Sequence, residues 1–168
     1  MKKTLDTITD PLKQHEAPVV AMMVGVPGSG KSYIAQKMSE QLQWPVLSSD
    51  ATRSELTGDE NDLTRDRDVW PLLYSRAGQH LEDGESFIVD ATHNNLQQRV
   101  TDIARYRAMG ARTVSGIYVN TPLSVCLERN ANRTRVVPDF VIEKFWNNLQ
   151  RNPVSSDDGF DAVYTIAP

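Results

Sequence analysis

Short apolar runs alternate with amphipathic segments along this chain. The run VVAMMV at 19–24 is too short for a typical helix and ends at Gly25, which favours a strand buried on both faces of a sheet. Later runs of the same kind predict strands at 46–47, 87–89, 113–119 and 161–166. Between them, apolar residues three or four apart predict helices that start near 31, 68, 96, 122 and 138. This alternation predicts an α/β fold, a five-stranded parallel sheet with helices on both faces.

Two polar segments interrupt the alternation. Residues 1–17 predict a polar leader ahead of one domain over 18–168. The apolar positions of that leader predict at most a short helical turn, through Leu5, Ile8 and Leu12. Residues 51–66 are rich in polar and turn-forming residues, so they predict a mobile loop.

Composition restricts the classes of function. Hydrophobic residues make up 39% and charged residues 24% of the chain, as in an ordinary soluble protein. We expect a cytoplasmic protein, because no apolar run approaches the roughly 20 residues that cross a bilayer and the interrupted start is unlike a signal peptide. Cys126 is alone and the three histidines are scattered, so neither a disulfide nor a zinc site is expected. The net charge of -4 argues against a protein that coats nucleic acid, but allows one basic groove.

The segment GVPGSGKS at 25–32 carries the most specific chemistry. It matches the pattern G-x-x-x-x-G-K-[ST], and it follows a predicted strand and opens a predicted helix, which makes a chance match improbable. Such a loop wraps its backbone N–H groups around phosphates, while the lysine reaches the β and γ phosphates and the serine hydroxyl binds Mg²⁺. The predicted ATP-binding residues are Gly25, Pro27, Gly28, Ser29, Gly30, Lys31, Ser32 and Tyr33.

Two aspartates are expected beside this loop. Asp50 and Asp90 end the second and third predicted strands, and ligands of open parallel sheets bind at the carboxyl ends of the strands. A carboxylate there can accept the proton of an attacking hydroxyl or hold magnesium through water. The alternative for each is a helix N-cap, a common place for aspartate. Asp90 is the better candidate for Mg²⁺ binding, together with Ser32.

Arginines follow the helix that Thr121 and Pro122 are predicted to open, with the threonine as hydroxyl N-cap. Arg129 and Arg133 lie four residues apart and share a face if the helix continues, and Arg135 follows closely. A basic helix end exposed to solvent is the alternative. After a phosphate-binding loop, a lid that brings guanidinium groups to a transferring phosphate is the better interpretation.

Several of these segments together resemble the 5′-kinase domain of polynucleotide kinases, within the wider group of P-loop kinases. The resemblance extends over residues 19–151 and implies a helical lid on the predicted sheet. Related kinases that act on sugars, antibiotics or a charged tRNA share several of the motifs. The matching pieces are GVPGSGKS at 25–32, Asp50-x-x-Arg53, VDATHNN at 89–95, RNANR at 129–133 and VP at 137–138.

The resemblance also implies roles for individual residues. Asp50 matches the general base for the acceptor 5′-hydroxyl, and Arg53 an arginine that contacts the acceptor strand. Arg133 matches the lid arginine at the transferring phosphate, with Arg129 as its companion. The remaining match is the Asp-Thr pair after the third strand, here Asp90 and Thr92 with Ala91 between them.

Three functions remain open at this point. The leading hypothesis is transfer of the ATP γ-phosphate, with Mg²⁺, to a 5′-hydroxyl of RNA or DNA. The second is a small-molecule kinase with a compact pocket bounded by Trp70, Tyr74 and His93, which the acidic segment 54–67 favours because it suits a nucleic acid backbone poorly. The third is a nucleotide-controlled binding module without an acceptor base. Oligomeric state is not predicted.

Overall fold

Five parallel strands form the centre of the computed structural model, which describes the backbone of residues 2–167 and the side chains of residues 5–167. Their order in the sheet is β2-β3-β1-β4-β5. The predicted five-stranded parallel sheet is therefore confirmed. The strands are β1 Val19–Val24, β2 Val46–Ser48, β3 Phe87–Asp90, β4 Thr113–Val119 and β5 Ala162–Ile166.

Helices cover both faces of this sheet, as predicted. Alternate residues of β1 point to opposite faces, and all six are buried because each face carries helices. α1 and α2 pack on one face, α4 and α5 on the other, and α6 and α7 pack against the loop that follows β1. The helices are α1 Lys2–Gln14, α2 Lys31–Leu42, α3 Ser49–Thr57, α4 Asp66–Glu82, α5 Leu96–Ala108, α6 Leu123–Ala131 and α7 Asp139–Arg151, with a 3-10 turn at Ser156–Asp158.

The N-terminal segment is more ordered than the predicted short turn. α1 is 13 residues long, and its apolar positions at helical spacing are buried in the same core as α2. Gln41 of α2 also donates a hydrogen bond to the Asp6 carboxylate, at 3.0 Å. The buried residues of α1 are Leu5, Ile8, Thr9 and Leu12, of which the three apolar ones belong to this core. This helix therefore packs on the same face of the sheet as α2.

The prediction of a mobile loop over 51–66 is wrong. α3 occupies Ser49–Thr57, and α4 already begins at Asp66. The Ser48 hydroxyl accepts a hydrogen bond from the Ala51 N–H and caps α3, a local signal that the polar composition concealed. Only the connection at 58–65 remains irregular.

Thr121 does not cap α6 as predicted. Pro122 is the N-cap residue, and the Thr121 hydroxyl instead donates to the Ser29 carbonyl at 2.8 Å. This hydroxyl thus ties the start of α6 to the phosphate-binding loop. No helix among the described residues is long and apolar enough to span a membrane.

Candidate active site

The glycine-rich loop at 25–32 follows β1 and is fixed by backbone contacts. The Gly25 N–H donates to the Thr92 carbonyl at 3.0 Å, which joins the loop to the segment after β3. Gly28 has a φ of 82°, and a Cβ there would lie 2.2 Å from the Cys126 carbonyl oxygen of α6. Only glycine fits this position, because both the backbone angle and the close contact exclude a side chain.

The loop ends at the start of α2, where the backbone is open to a ligand. Gly30 is the N-cap residue, and within the described part of the chain no side chain caps the first N–H groups of α2. Lys31 is half-buried, while Ser32 and Tyr33 are exposed. A helix N-terminus with free N–H groups and a lysine attracts phosphate oxygens. The Ser29 hydroxyl is buried and has no hydrogen-bond partner among the described residues.

Two cavities meet at this loop. The smaller one, which we call the P-loop cavity, has about 210 Å³ and is lined by Gly28, Gly30, Lys31, Ser32, Tyr33, Arg129 and Arg133. The larger one, the Asp50 cavity, has about 400 Å³. Its lining includes Pro27, Lys31, Asp50, Arg53, Asp66, Trp70, Asp90, Thr92, Arg133 and Arg135. Lys31 and Arg133 thus line both cavities, and Pro27 faces the larger one.

Asp50 lies in the first turn of α3, two residues beyond the end of β2. Ser48 is the N-cap of that helix, so the Asp50 carboxylate does not serve as the cap. Its Oδ1 accepts hydrogen bonds from Arg53 Nη1 and Arg135 Nη1, each at 2.7 Å. Burial raises the pKa of Asp50, but the two arginines outweigh it and hold the pKa below its ordinary value. The carboxylate is therefore ionised at neutral pH and able to accept a hydrogen bond from a hydroxyl.

Asp90 ends β3 in the centre of the sheet, beside Ser48 of β2. Its Oδ1 is buried and has no hydrogen-bond partner within residues 5–167. In the same described range, no group of three or more histidine, cysteine or acidic residues is placed to hold a metal ion alone. Mg²⁺ needs no such group, because it commonly binds one or two carboxylates together with phosphate oxygens and water. An unpartnered carboxylate oxygen at Asp90 and the exposed Ser32 hydroxyl fit that requirement.

The lid arginines occupy three different positions around the cavities. Arg129 of α6 donates to the Ser29 carbonyl at 3.3 Å, at the edge of the P-loop cavity. The Arg133 guanidinium has no ion pair or hydrogen bond to any described residue, so it is available to a ligand. Arg135 pairs with Asp50 across the larger cavity. The sequence placed Arg135 beside the other lid arginines but did not predict its pairing with Asp50, because a contact between residues 85 positions apart leaves no local signal.

Arg53 is held between two carboxylates. It contacts Asp50 through Nη1 and Asp66 through Nε and Nη2, at 2.7, 2.8 and 2.7 Å, and only 11% of its side chain is exposed. Asp66, at the start of α4, is a residue of the site that the sequence did not predict. The four side chains Asp66, Arg53, Asp50 and Arg135 form a line of alternating charges along the Asp50 cavity.

The predicted aromatic boundary is only partly present. Trp70 lines the Asp50 cavity and contacts the rings of Tyr74 and His93 beneath it. Tyr74 donates a hydrogen bond to the buried Asp102 carboxylate, and His93 is buried with its Nδ1 2.6 Å from the Met23 carbonyl. Tyr74 and His93 therefore support the floor of the cavity and do not line it.

The chain is similar to known proteins in both sequence and structure. The model of the AAA domain family AAA_33 matches residues 20–152. None of the curated proteins compared with this chain matches it significantly. The solved structure of the Pnkp1/Rnl/Hen1 RNA repair complex has a TM-score of 0.73 at 22% identity, covering 88% of this chain and 47% of the other. This chain thus spans about half the length of that one.

Smaller kinases also share the fold. A sugar kinase from Janibacter has a TM-score of 0.62 at 21% identity, covering 90% of this chain and 86% of the other. For a gluconokinase from Sinorhizobium meliloti the TM-score is 0.59 at 20% identity, with 91% and 84% covered. These identities support a shared fold and leave the acceptor open. The family match covers most of the sheet, the glycine-rich loop and the lid, so the chain belongs to the AAA domain family AAA_33 and has the fold of a P-loop kinase.

Proposed function

We propose that this protein is an ATP-dependent phosphotransferase that moves the γ-phosphate of ATP to a hydroxyl group. The observation that carries the proposal is the meeting of the two cavities at Lys31 and Arg133. A phosphoryl group passing from donor to acceptor crosses such a boundary, and positive charges stabilise it there. A nucleotide-controlled binding module would need only the P-loop cavity.

On the donor side, the P-loop cavity takes the triphosphate. The backbone N–H groups of the loop and of the first turn of α2 bind its oxygens, and Lys31 neutralises the terminal phosphates. Ser32 and Asp90 would hold Mg²⁺, which supplies charge neutralisation at the β and γ phosphates. The unpaired Arg133 guanidinium stabilises the charge of the transferring group.

On the acceptor side, Asp50 is the candidate base. The acceptor oxygen forms a bond to the γ-phosphorus, the bond from that phosphorus to the bridging oxygen breaks, and ADP leaves. Asp50 accepts the proton of the hydroxyl. The lowered pKa of Asp50 keeps the carboxylate ionised, so its contribution is to orient the hydroxyl and take the proton late in the transfer.

The acceptor we favour is the 5′-hydroxyl end of a nucleic acid. Four of the positions that resemble polynucleotide kinases, Asp50, Arg53, Thr92 and Arg133, line the Asp50 cavity, whereas Arg129 lines the P-loop cavity. The cavity also contains more basic than acidic side chains, because Lys31, Arg53, Arg133 and Arg135 outnumber Asp50, Asp66 and Asp90. Both features suit an acceptor with a phosphate beside its hydroxyl.

A small-molecule acceptor is the second candidate, for a specific reason. Arg53 and Arg135 are already paired with carboxylates, so less positive charge is free than the sequence indicates. The cavity volume of about 400 Å³ also lies in the range of small-molecule pockets. A polyhydroxylated acceptor would satisfy the charged lining through hydrogen bonds.

The test uses purified protein, ATP, Mg²⁺ and a panel of acceptors that includes 5′-hydroxyl oligonucleotides, nucleosides and sugars. We expect labelled phosphate on the oligonucleotide, and Asp50→Asn to slow the transfer by roughly 100-fold or more while ATP binding is unchanged. Asp68→Asn removes a charge outside the cavity and serves as the control. Transfer to a sugar alone would replace the favoured acceptor, and ATP binding without transfer to any acceptor would refute the proposal.

A further inference from the structure

The line of charges in the Asp50 cavity contains one pair that the proposed chemistry does not use. Asp66 Oδ1 accepts a hydrogen bond from Arg53 Nε at 2.8 Å and lies 2.7 Å from Nη2 in the same ion pair. Nε and Nη2 form the edge of a guanidinium group that binds oxyanions with two parallel hydrogen bonds. In the free protein this edge of Arg53 is occupied by a carboxylate of the chain itself.

The two partners of this pair differ in freedom. The Arg53 side chain is 11% exposed and is held from the other side by Asp50, whereas the Asp66 side chain is 52% exposed at the first residue of α4. An exposed aspartate can rotate into solvent at small cost, since exposed ion pairs contribute little to stability. Arg53 therefore stays in place while Asp66 is replaceable.

The remaining acidic residues of this region point elsewhere. Asp68 pairs with Arg65, and Glu55 pairs with Arg76 on the surface. The Asp59 and Asp62 carboxylates accept hydrogen bonds within the connection at 58–65. Among the acidic residues of the segment 54–67, only Asp66 lines the Asp50 cavity in the described structure. The acidic character of that segment thus reaches the acceptor through a single carboxylate.

We propose that Asp66 is a specificity-determining residue: it occupies the oxyanion edge of Arg53, so that an acceptor phosphate binds there only by replacing the Asp66 carboxylate. The inference rests on the proposed function in that it concerns the same acceptor cavity. Asp66 weakens the binding of acceptors that carry a phosphate beside the reacting hydroxyl, and it leaves the binding of uncharged acceptors unchanged. The residue sets the balance between the two acceptor classes considered above.

Calorimetric titration measures this directly. A nucleoside 3′-phosphate and its parent nucleoside are titrated into the full chain with the P-loop cavity saturated by a non-hydrolysable ATP analogue and Mg²⁺. We expect Asp66→Asn to lower the Kd of the nucleoside 3′-phosphate by roughly three- to tenfold, the equivalent of one partly exposed ion pair, and to leave the Kd of the nucleoside unchanged. The gain should shrink as salt is raised, because screening weakens both pairs.

Three control variants isolate the contact. Asp68→Asn removes an equal charge from the same first turn of α4, so it should leave both Kd values unchanged. Asp66→Glu keeps the carboxylate and should behave as the original protein. In the double variant Arg53→Met with Asp66→Asn, the gain should disappear because the anion has lost its partner.

Three results would overturn the inference. The Kd of both ligands could change equally in Asp66→Asn, or Asp68→Asn could bind the nucleoside 3′-phosphate more tightly by the same factor. The third is that no variant binds the nucleoside 3′-phosphate. Phosphate transfer from ATP, measured on the same variants, separates this outcome from that of the proposed function. Selective binding by Asp66→Asn without transfer to any acceptor would refute the kinase proposal and leave the role of Asp66 intact. Phosphate transfer without selective binding by Asp66→Asn would support the kinase proposal and refute the role of Asp66.

Discussion

Gly28 illustrates how one residue fixes the geometry of the phosphate-binding loop. Its φ of 82° and the contact with α6 leave no room for a Cβ. We expect Gly28→Ala to weaken ATP binding strongly and to destabilise the protein, because the loop or α6 must move. Calorimetry with an ATP analogue and thermal unfolding measure the two effects.

Gly78 provides the matched control. It lies within α4, and a Cβ there would meet no atom within 4 Å. Gly78→Ala should therefore raise stability, by up to about 1 kcal/mol, and leave ATP binding unchanged. If both substitutions had the same effect on ATP binding, the geometric account of Gly28 would be wrong.

The sequence predicted the residues of the site better than their contacts. Lys31, Asp50, Arg133 and Thr92 were predicted from the loop motif, strand ends and family resemblance, and they do lie around joined cavities. The ion pairs of Asp66 with Arg53 and of Arg135 with Asp50 were not predicted. Each joins residues far apart along the chain, and pairing of that kind depends on the three-dimensional fold and leaves no spacing pattern in one sequence.

Among the elements, the lid segment between α6 and α7 connects the two cavities. Its Arg135 lowers the pKa of Asp50, so Arg135→Met should let that pKa rise towards the ordinary value of 3.8. Because the proposed base must be ionised, the acidic limb of kcat/KM for the acceptor should move to higher pH. Assays between about pH 3 and pH 5, roughly one unit either side of the ordinary aspartate pKa, would measure the limb.

Arg129→Met is the control for this pH dependence, since Arg129 contacts the Ser29 carbonyl and not Asp50. The acidic limb of kcat/KM in Arg129→Met should lie at the same pH as in the original protein, even if the KM for ATP rises. An unchanged limb in Arg135→Met would mean that the ion pair with Asp50 does not persist in the working enzyme.

The sequence predicts helices and strands correctly where buried apolar residues recur at a regular spacing. It fails where a capping residue determines the start of a helix. β1, β3 and β4 are short buried runs, and their predicted limits agree with the structure to within a residue. α3 begins after its N-cap residue Ser48 and lies in a polar segment, so no stripe of apolar residues predicts it. The sequence underestimates α1 because only three of its 13 residues are large and apolar, which gives a weak pattern until α2 is in place to pack against.

In the whole molecule, His93 connects the parts that surround the site. Its Nδ1 donates to the Met23 carbonyl of β1, its carbonyl accepts from the buried Arg99, and its ring contacts Trp70. Burial lowers the pKa of His93 below its ordinary value of 6.5, although Asp102 and Asp90 nearby oppose the shift. Lys31 adds to it.

The sign of the resulting pH dependence follows from linkage. Below about pH 6.5 the unfolded chain protonates this histidine while the folded protein does not, so stability falls as pH falls from 6.5 towards the folded pKa. Urea unfolding at pH 7 and at pH 5 measures the loss. His93→Asn should reduce the loss, since asparagine does not titrate, can still donate a hydrogen bond and tolerates the φ of 43°. An equal loss in both proteins would place the pH sensitivity elsewhere.

The thiol of Cys126, which lies in α6 beneath Gly28, can be used to measure local opening of this part of the protein. It is the sole cysteine of the chain, its thiol is buried, and burial raises its pKa. A thiol reagent can modify it only when the core shared by α6, α7 and the start of the glycine-rich loop opens locally, so the labelling rate at fixed reagent concentration reports the frequency of that opening. Ligands that fill the P-loop cavity should slow the labelling, and their affinities can then be read from the protein without any knowledge of the acceptor.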